Sequence, residues 1–409
     1  MVRAPTPTAD PAADAAALLR RIGFATLTLV IPVAALVTRR AIVVLAPVGV
    51  MLLVLAALLD GENRPLRATL GRRARSWGGL AGGLVLLWCA LSLIWTPFFA
   101  PAAERFLNIA ATVAVGVAGY AALPDRMRSA NLYLVPVGAA VAAVAAIGLA
   151  VSGPKSGLGL EDDGQSLERG LVVLVLFLWP SIAWLRSRGR DLAALGLLAL
   201  VAAAVVLGPQ PLPAAALAAG ALVYAATTVA PAFGAAATGI VMAGSLALAP
   251  LIPFIARPIA TYLLGRSDPT VASLDIWRWL VTSEPVRLIT GHGFETALRG
   301  RLVGLLVPNA PSTLLFEVWY ELGLVGALAG AVALYASVRG TRHRHPSLVP
   351  GIMASFAAAF TLACLGIGTA QMWWFTALVV LMLIFVAAER GQVRTTRPKA
   401  RVLKAANDA

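Results

Sequence analysis

Between Thr290 and Ala327 the chain reads TGHGFETALRGRLVGLLVPNAPSTLLFEVWYELGLVGA, and this stretch gathers the side chains best suited to chemistry. It opens on a glycine turn, Gly291-His292-Gly293. Histidine is the side chain that most readily exchanges a proton near neutrality, so His292 is a candidate base. Arg299 and Arg301 follow on a short basic segment, and Asn309 stands between Pro308 and Pro311. An apolar run then begins, with Glu317 and Glu321 in its first turns. Carboxylates four residues apart share one helix face. Ionisable groups at the mouth of a membrane-length run are costly and turn toward a cavity or a partner.

The elements that would hold these groups are membrane spans. The 409 residues are 59% hydrophobic and only 13% charged, and their mean hydropathy is +0.84. A soluble domain carries about twice that share of charge. Runs long enough to cross a bilayer, about 20 mostly apolar residues, fall near 22–38, 41–59, 77–95, 105–123, 130–152, 170–185, 191–208, 212–230, 234–255, 313–338, 348–366 and 371–389. The expected fold is therefore all-α, a polytopic membrane protein of about twelve transmembrane helices. The net charge of +14 does not imply nucleic acid, because the arginines sit mostly in short loops between apolar runs. With both termini inside, 22 of the 33 Lys and Arg residues fall on the cytoplasmic side. Cys89 and Cys364 each lie inside an apolar run, so no disulfide framework is implied. Residues 1–19 lack the basic-then-apolar order of a cleaved signal, and the first span is expected to be retained.

This reading divides the chain into a cytoplasmic tail (1–21), nine spans (22–255), a large outer loop (256–312), three spans (313–389) and a basic cytoplasmic tail (390–409). The outer loop holds six arginines and four acids in 57 residues. Within it, 271–282 places Asp275, Arg278 and Thr282 on one narrow stripe, which predicts a short helix at the membrane interface with its polar side toward a cavity. Trp277 and Trp279 suit an aromatic belt. A smaller outer loop, 153–169, carries Lys155, Glu161, Asp162, Asp163, Glu168 and Arg169, and Arg39-Arg40 reads as a hairpin tip.

Ser273-Leu274-Asp275-Ile276-Trp277, then Gly291-His292-Gly293-Phe294, Asn309 and Glu321-Leu322-Gly323-Leu324-Val325-Gly326 follow one another in order. That ordered set resembles the O-antigen ligase and polymerase superfamily of bacterial inner-membrane glycosyltransferases. Leu91-Ser92-Leu93-Ile94-Trp95 followed by Glu104-Arg105 is similar to that superfamily's earlier outer-loop signature. By themselves Glu104 and Arg105 read as an interface pair. Together these motifs cover about a fifth of the chain; elsewhere only topology agrees. Ligases of this kind place a histidine just before the Asn, where this chain has Leu306-Val307-Pro308.

The resemblance implies a glycan donor on a polyprenyl diphosphate, a lipid or glycan acceptor, a bilayer around the chain, and no metal or other cofactor. Arginine forks bind diphosphate oxygens bidentately and neutralise the charge that develops as the glycosidic bond breaks. Arg266, Arg278, Arg287, Arg299 and Arg301 are the candidates for that work. Asn309 and Glu317 are further candidates for holding substrate, and Glu321 and His292 for catalysis. Two other functions stay open on the sequence. One is a twelve-span secondary transporter, which would show two pseudo-symmetric halves. The other is a catalytically silent relative that scaffolds the assembly of envelope polysaccharide.

Overall fold

The computed structural model describes residues 11–38, 40–60, 71, 74–152, 165–341, 344–366 and 371–392. Arg39, the acidic loop residues Lys155 to Asp163, most of the basic segment 60–76 and the end of the C-terminal tail lie outside them. Among the described residues every regular element is helical. In chain order the helices are α1 (Pro11–Ala34), α2 (Ala41–Leu59), α3 (Trp77–Ser92), α4 (Phe99–Ala122), α5 (Ser129–Ser152), α6 (Gln165–Ser187), α7 (Asp191–Val206) and α8 (Leu212–Val229). They continue with α9 (Pro231–Ala247), α10 (Ala249–Leu264), α11 (Pro269–Ser283), a single turn Arg287–Thr290 and α12 (Thr296–Leu302). The last three are α13 (Leu314–Gly340), α14 (Val349–Leu365) and α15 (Met372–Arg390).

Among the described residues eight of these helices are long and apolar enough to cross a membrane, and α9 with α10, bent by 69°, makes either a broken ninth span or a re-entrant loop. The chain is thus a multi-pass membrane protein. Helices α3, α7 and α14 are apolar but shorter.

Two boundaries differ from the sequence reading. Helix α1 begins at Pro11 rather than near residue 22, because the Ala-rich segment before Arg20 is itself strongly helix-forming. Arg20 is accommodated on it by an ion pair with Asp60 at the end of α2. The run 234–255 is not one straight span. Its helix stops at Ala247, and Pro250 and Pro253 then supply no backbone donors, so the chain turns before continuing to Leu264. Much of the expected outer loop is therefore ordered helix, in α10, α11 and α12.

Helix α6 is the centre of the larger core. From Leu171 to Trp179 its side chains are all buried, as expected of a helix that is apolar on every side. Helices α5, α7, α8 and α14 pack around it, and α15 closes the same cluster against α2 and α4. Helix α13 stands apart from that core, held between α3 and α9. Its N-terminal half belongs to a second cluster with Trp277, Leu306, Phe316 and Trp319. The candidate site is built on that half.

Candidate functional site

Helix α13 is broken at Gly323, whose backbone (φ 62°, ψ −160°) is outside the helical region. Thr313 caps the first segment by accepting from the Phe316 amide, so the helix starts five residues after Asn309. Asn309 itself sits exposed in the preceding turn. A break leaves the last carbonyls of the first segment without intrahelical donors. The turn Gly291–Phe294 supplies partners. The His292 amide donates to Tyr320 O at 2.8 Å and the Gly293 amide to Glu321 O at 3.0 Å. From α3, Trp88 Nε1 donates to Leu322 O at 2.8 Å. Turn and break touch backbone to backbone. A Cβ on Gly291 would lie 2.2 Å from Glu321 O, and one on Gly323 would lie 2.5 Å from the Gly291 nitrogen. Both glycines have positive φ, so the two motifs meet at positions only glycine can fill.

The far side of the turn is fastened to the end of α3. The Phe294 amide donates to Ser92 Oγ at 3.2 Å, and Thr96 Oγ1 donates to Phe294 O at 2.9 Å. The next residue, Glu295, adopts φ 68°, the one positive φ outside glycine among the described residues. It starts α12, the short helix that carries Arg299 and Arg301. Held this way, Glu295 is 3% exposed and forms an ion pair with Arg105 of α4. The guanidinium of Arg105 also lies 5.0 Å from the centre of the Phe294 ring.

A compact knot of charge results. Glu295, Glu317 and Glu321 are all buried, and so is Arg105. Glu321 Oε1 accepts from the Ala297 amide at 3.1 Å and so holds the first turn of α12. Glu317 pairs with Arg301 at 3.2 Å, and Arg301 also donates to Pro311 O. Arg299 lies 3.5 Å from Glu295. The three arginines pair with two of the carboxylates, Glu295 and Glu317, while Glu321 is engaged by the Ala297 amide. The cations are not equally committed. Arg299 has 42% of its side chain exposed, against 13% for Arg301. Among the described residues, Arg105 Nε and Nη2, Arg299 Nε and Arg301 Nε have no hydrogen-bond partner. An arginine with unused donors at the rim of a buried charge network is a ready receptor for anionic oxygens.

No family model, curated protein or solved structure matches the chain.

The remaining sequence-chosen residues are distributed over three places. His292 lies beside the knot, with its ring stacked on Tyr320 at 4.0 Å. Its Nδ1 faces Tyr320 O at 3.0 Å and its Nε2 faces Glu284 Oε2 at 2.8 Å. Both nitrogens thus meet acceptors, which a doubly protonated ring satisfies fully and a neutral ring only in part. The cleft against it, lined by Trp277, Glu284, Arg287 and Phe316 among others, has only about 20 Å³ of space, room for a water molecule. Glu321 and Glu317 are likewise engaged, with the Ala297 amide and with Arg301.

Helix α11 occupies the stretch expected to lie at the interface. Asp268 caps it, and the Thr270 hydroxyl and amide hold the Asp268 carboxyl below its usual range. The polar stripe faces α10, where Asp275 pairs with Arg257 and Arg278 lies 5.5 Å from the Phe254 ring centre. Arg266 is exposed between α10 and α11. Of the five candidate arginines, Arg299 and Arg301 are therefore the two in the knot. Glu295, Thr96 and Trp88 were not singled out in the sequence. Glu295 carried one usable signal, as the carboxylate directly after the glycine turn.

Proposed function

We propose that the chain is a glycosyltransferase of the O-antigen ligase and polymerase kind. It crosses the bacterial inner membrane about twelve times with both termini in the cytoplasm. It moves glycan from a polyprenyl-diphosphate donor to a lipid or glycan acceptor at the periplasmic face. The observation that carries this reading is the assembly of three separated motifs into one knot. The Leu91–Trp95 and Arg105 region, the Gly291–Phe294 turn and the Glu321–Gly326 segment bond to one another around Arg105, Arg299 and Arg301. In the reaction the acceptor oxygen bonds to the anomeric carbon as the bond to the diphosphate oxygen breaks, and negative charge grows on the leaving diphosphate. Arg299, the most exposed cation of the knot, meets that charge, with Arg105 and Arg301 behind it. The carboxylates fix the arginines in place, so little reorganisation accompanies the step.

The test is binding by the purified protein in lipid nanodiscs. Polyprenyl diphosphate should bind the wild type and Arg266→Ala alike, and Arg299→Ala at least about tenfold more weakly, a difference of ~1.4 kcal/mol. Equal binding by Arg299→Ala would put the site elsewhere.

A second reading is favoured by one observation. Carriers build substrate and ion sites at discontinuous helices, and here Glu317 and Glu321 lie just before the break in α13. Solute flux in proteoliposomes, without any release of polyprenyl diphosphate from a donor, would select the transporter.

A further inference from the structure

Between α13, α14 and α15 lies a cavity of about 1200 Å³, far larger than any space at the charge knot. Its walls are mostly apolar, with Val332, Ile352, Phe360, Leu378 and Phe385 among them. Leu348 and Ala363 both line it, so along α14 it extends about 22 Å at 1.5 Å per residue. Apart from Ser355 midway along α14, most of its polar groups gather at one end, where Ser76, Arg339, Thr341, Arg344 and Glu389 meet. Most of these are already engaged. Arg344 pairs with Glu389, Ser76 accepts from the Gly79 amide and Thr341 donates to Val338 O. Arg339 is exposed and has no ion pair or hydrogen bond among the described residues. The cavity is thus a deep apolar slot with an exposed cation at its mouth that has no acidic partner among the described residues.

We propose that this slot is a binding site for an anionic phospholipid, with an acyl chain along α14 and the phosphate on Arg339. The depth is ample, since an acyl chain spans one leaflet, about half of a hydrocarbon core of ~30 Å, and the slot is longer than that. The charge fits as well, because basic pockets between membrane helices select anionic headgroups. The slot also extends toward Leu314 and Trp374 at the other end, where a polyprenyl tail would be the competing occupant. That tail has no anion to place on Arg339. Arg339 lies about 24 Å beyond the break in α13 at 1.5 Å per residue, and Glu317 lies on the other side of that break, so a diphosphate held at the knot does not reach it. The inference therefore stands independently of glycan transfer.

The experiment extracts the lipids that stay with the purified full chain in mild detergent and identifies them by mass spectrometry. Thermal stability of the delipidated protein is then measured with phosphatidylglycerol or phosphatidylcholine added. The wild type should retain a phospholipid of anionic type and be stabilised preferentially by phosphatidylglycerol. Arg339→Gln should lose about fivefold of that preference, the worth of one basic residue at an anionic surface. Ala359→Trp, which fills the middle of the slot, should abolish retention while the protein still elutes as the wild type does. If Ala359→Trp misfolds, Arg339→Gln decides alone, because its side chain is exposed and holds nothing. Equal retention of phosphatidylcholine, recovery of polyprenyl phosphate in place of phospholipid, a second copy of the chain covering the slot, or no retained lipid would each overturn the proposal.

Discussion

Arg105 and Glu295 form the ion pair on which the knot depends, and each is more than nine-tenths buried. Removing one partner of a buried pair strands the other charge, at a cost of about 3–5 kcal/mol. Arg105→Met should therefore lower stability by that amount in detergent unfolding, whereas Arg105→Met with Glu295→Met should recover most of it. A neutral single substitution would mean that the two charges are not coupled in the fold. Which of two adjacent charges turns inward could not be read from the sequence. Glu104 and Arg105 are both plausible at a membrane boundary, but neighbours on a helix point about 100° apart. Packing against the Phe294 turn leaves Glu104 exposed and draws Arg105 in. Glu295 was harder still to find. It belongs to no periodic face, and its burial follows from a left-handed backbone that only the docked turn imposes. His292 was found easily by type, but its role depends on Glu284 and on the Tyr320 carbonyl, which come to it from outside its own turn.

At the scale of elements, the break in α13 and the glycine turn form one unit. Gly291→Ala and Gly323→Ala should each disrupt it, since the added carbon meets backbone atoms and the positive φ alone costs of order 1–3 kcal/mol. Gly82→Ala is the control. It lies inside α3 with open space around it and should be neutral or slightly stabilising, by up to about 1 kcal/mol. Comparing melting temperatures of the three variants checks this, and an undisturbed Gly323→Ala would show that α13 can run straight. Both glycine motifs were visible in the sequence, and so was the helix that Glu317 and Glu321 enter. Their docking was not, because it joins backbone atoms of segments about 30 residues apart without a side-chain pattern to announce it. The bend after α9 was written in Pro250 and Pro253, yet the hydropathy of 234–255 reads through it, since proline is apolar enough to leave a span signal intact.

For the whole molecule, hydropathy was enough to locate the helices, and each of the expected runs is helical, 234–255 as the bent pair α9 and α10. It was less able to fix their number as crossings, because α3, α7 and α14 fall short of a full bilayer thickness and α9 with α10 is bent. Orientation rests on the arginine distribution. Impermeant thiol labelling of intact cells should mark Ser267→Cys and spare Ser347→Cys, and the reverse pattern would invert the topology. The same orientation places the knot at the outer face and Arg339 at the inner one. The central claim, that the knot moves glycan off a lipid diphosphate, is tested most directly by reconstituting the purified chain in liposomes. The vesicles carry a polyprenyl-diphosphate-linked glycan and an acceptor, and release of free polyprenyl diphosphate is followed over time. The account predicts release by the wild type and by Arg266→Ala, and a rate about 10²–10³ lower for Arg299→Ala, as for other lost donors to a developing charge. Release that is unchanged in Arg299→Ala, or absent from the wild type with every lipid-linked donor supplied, would contradict it.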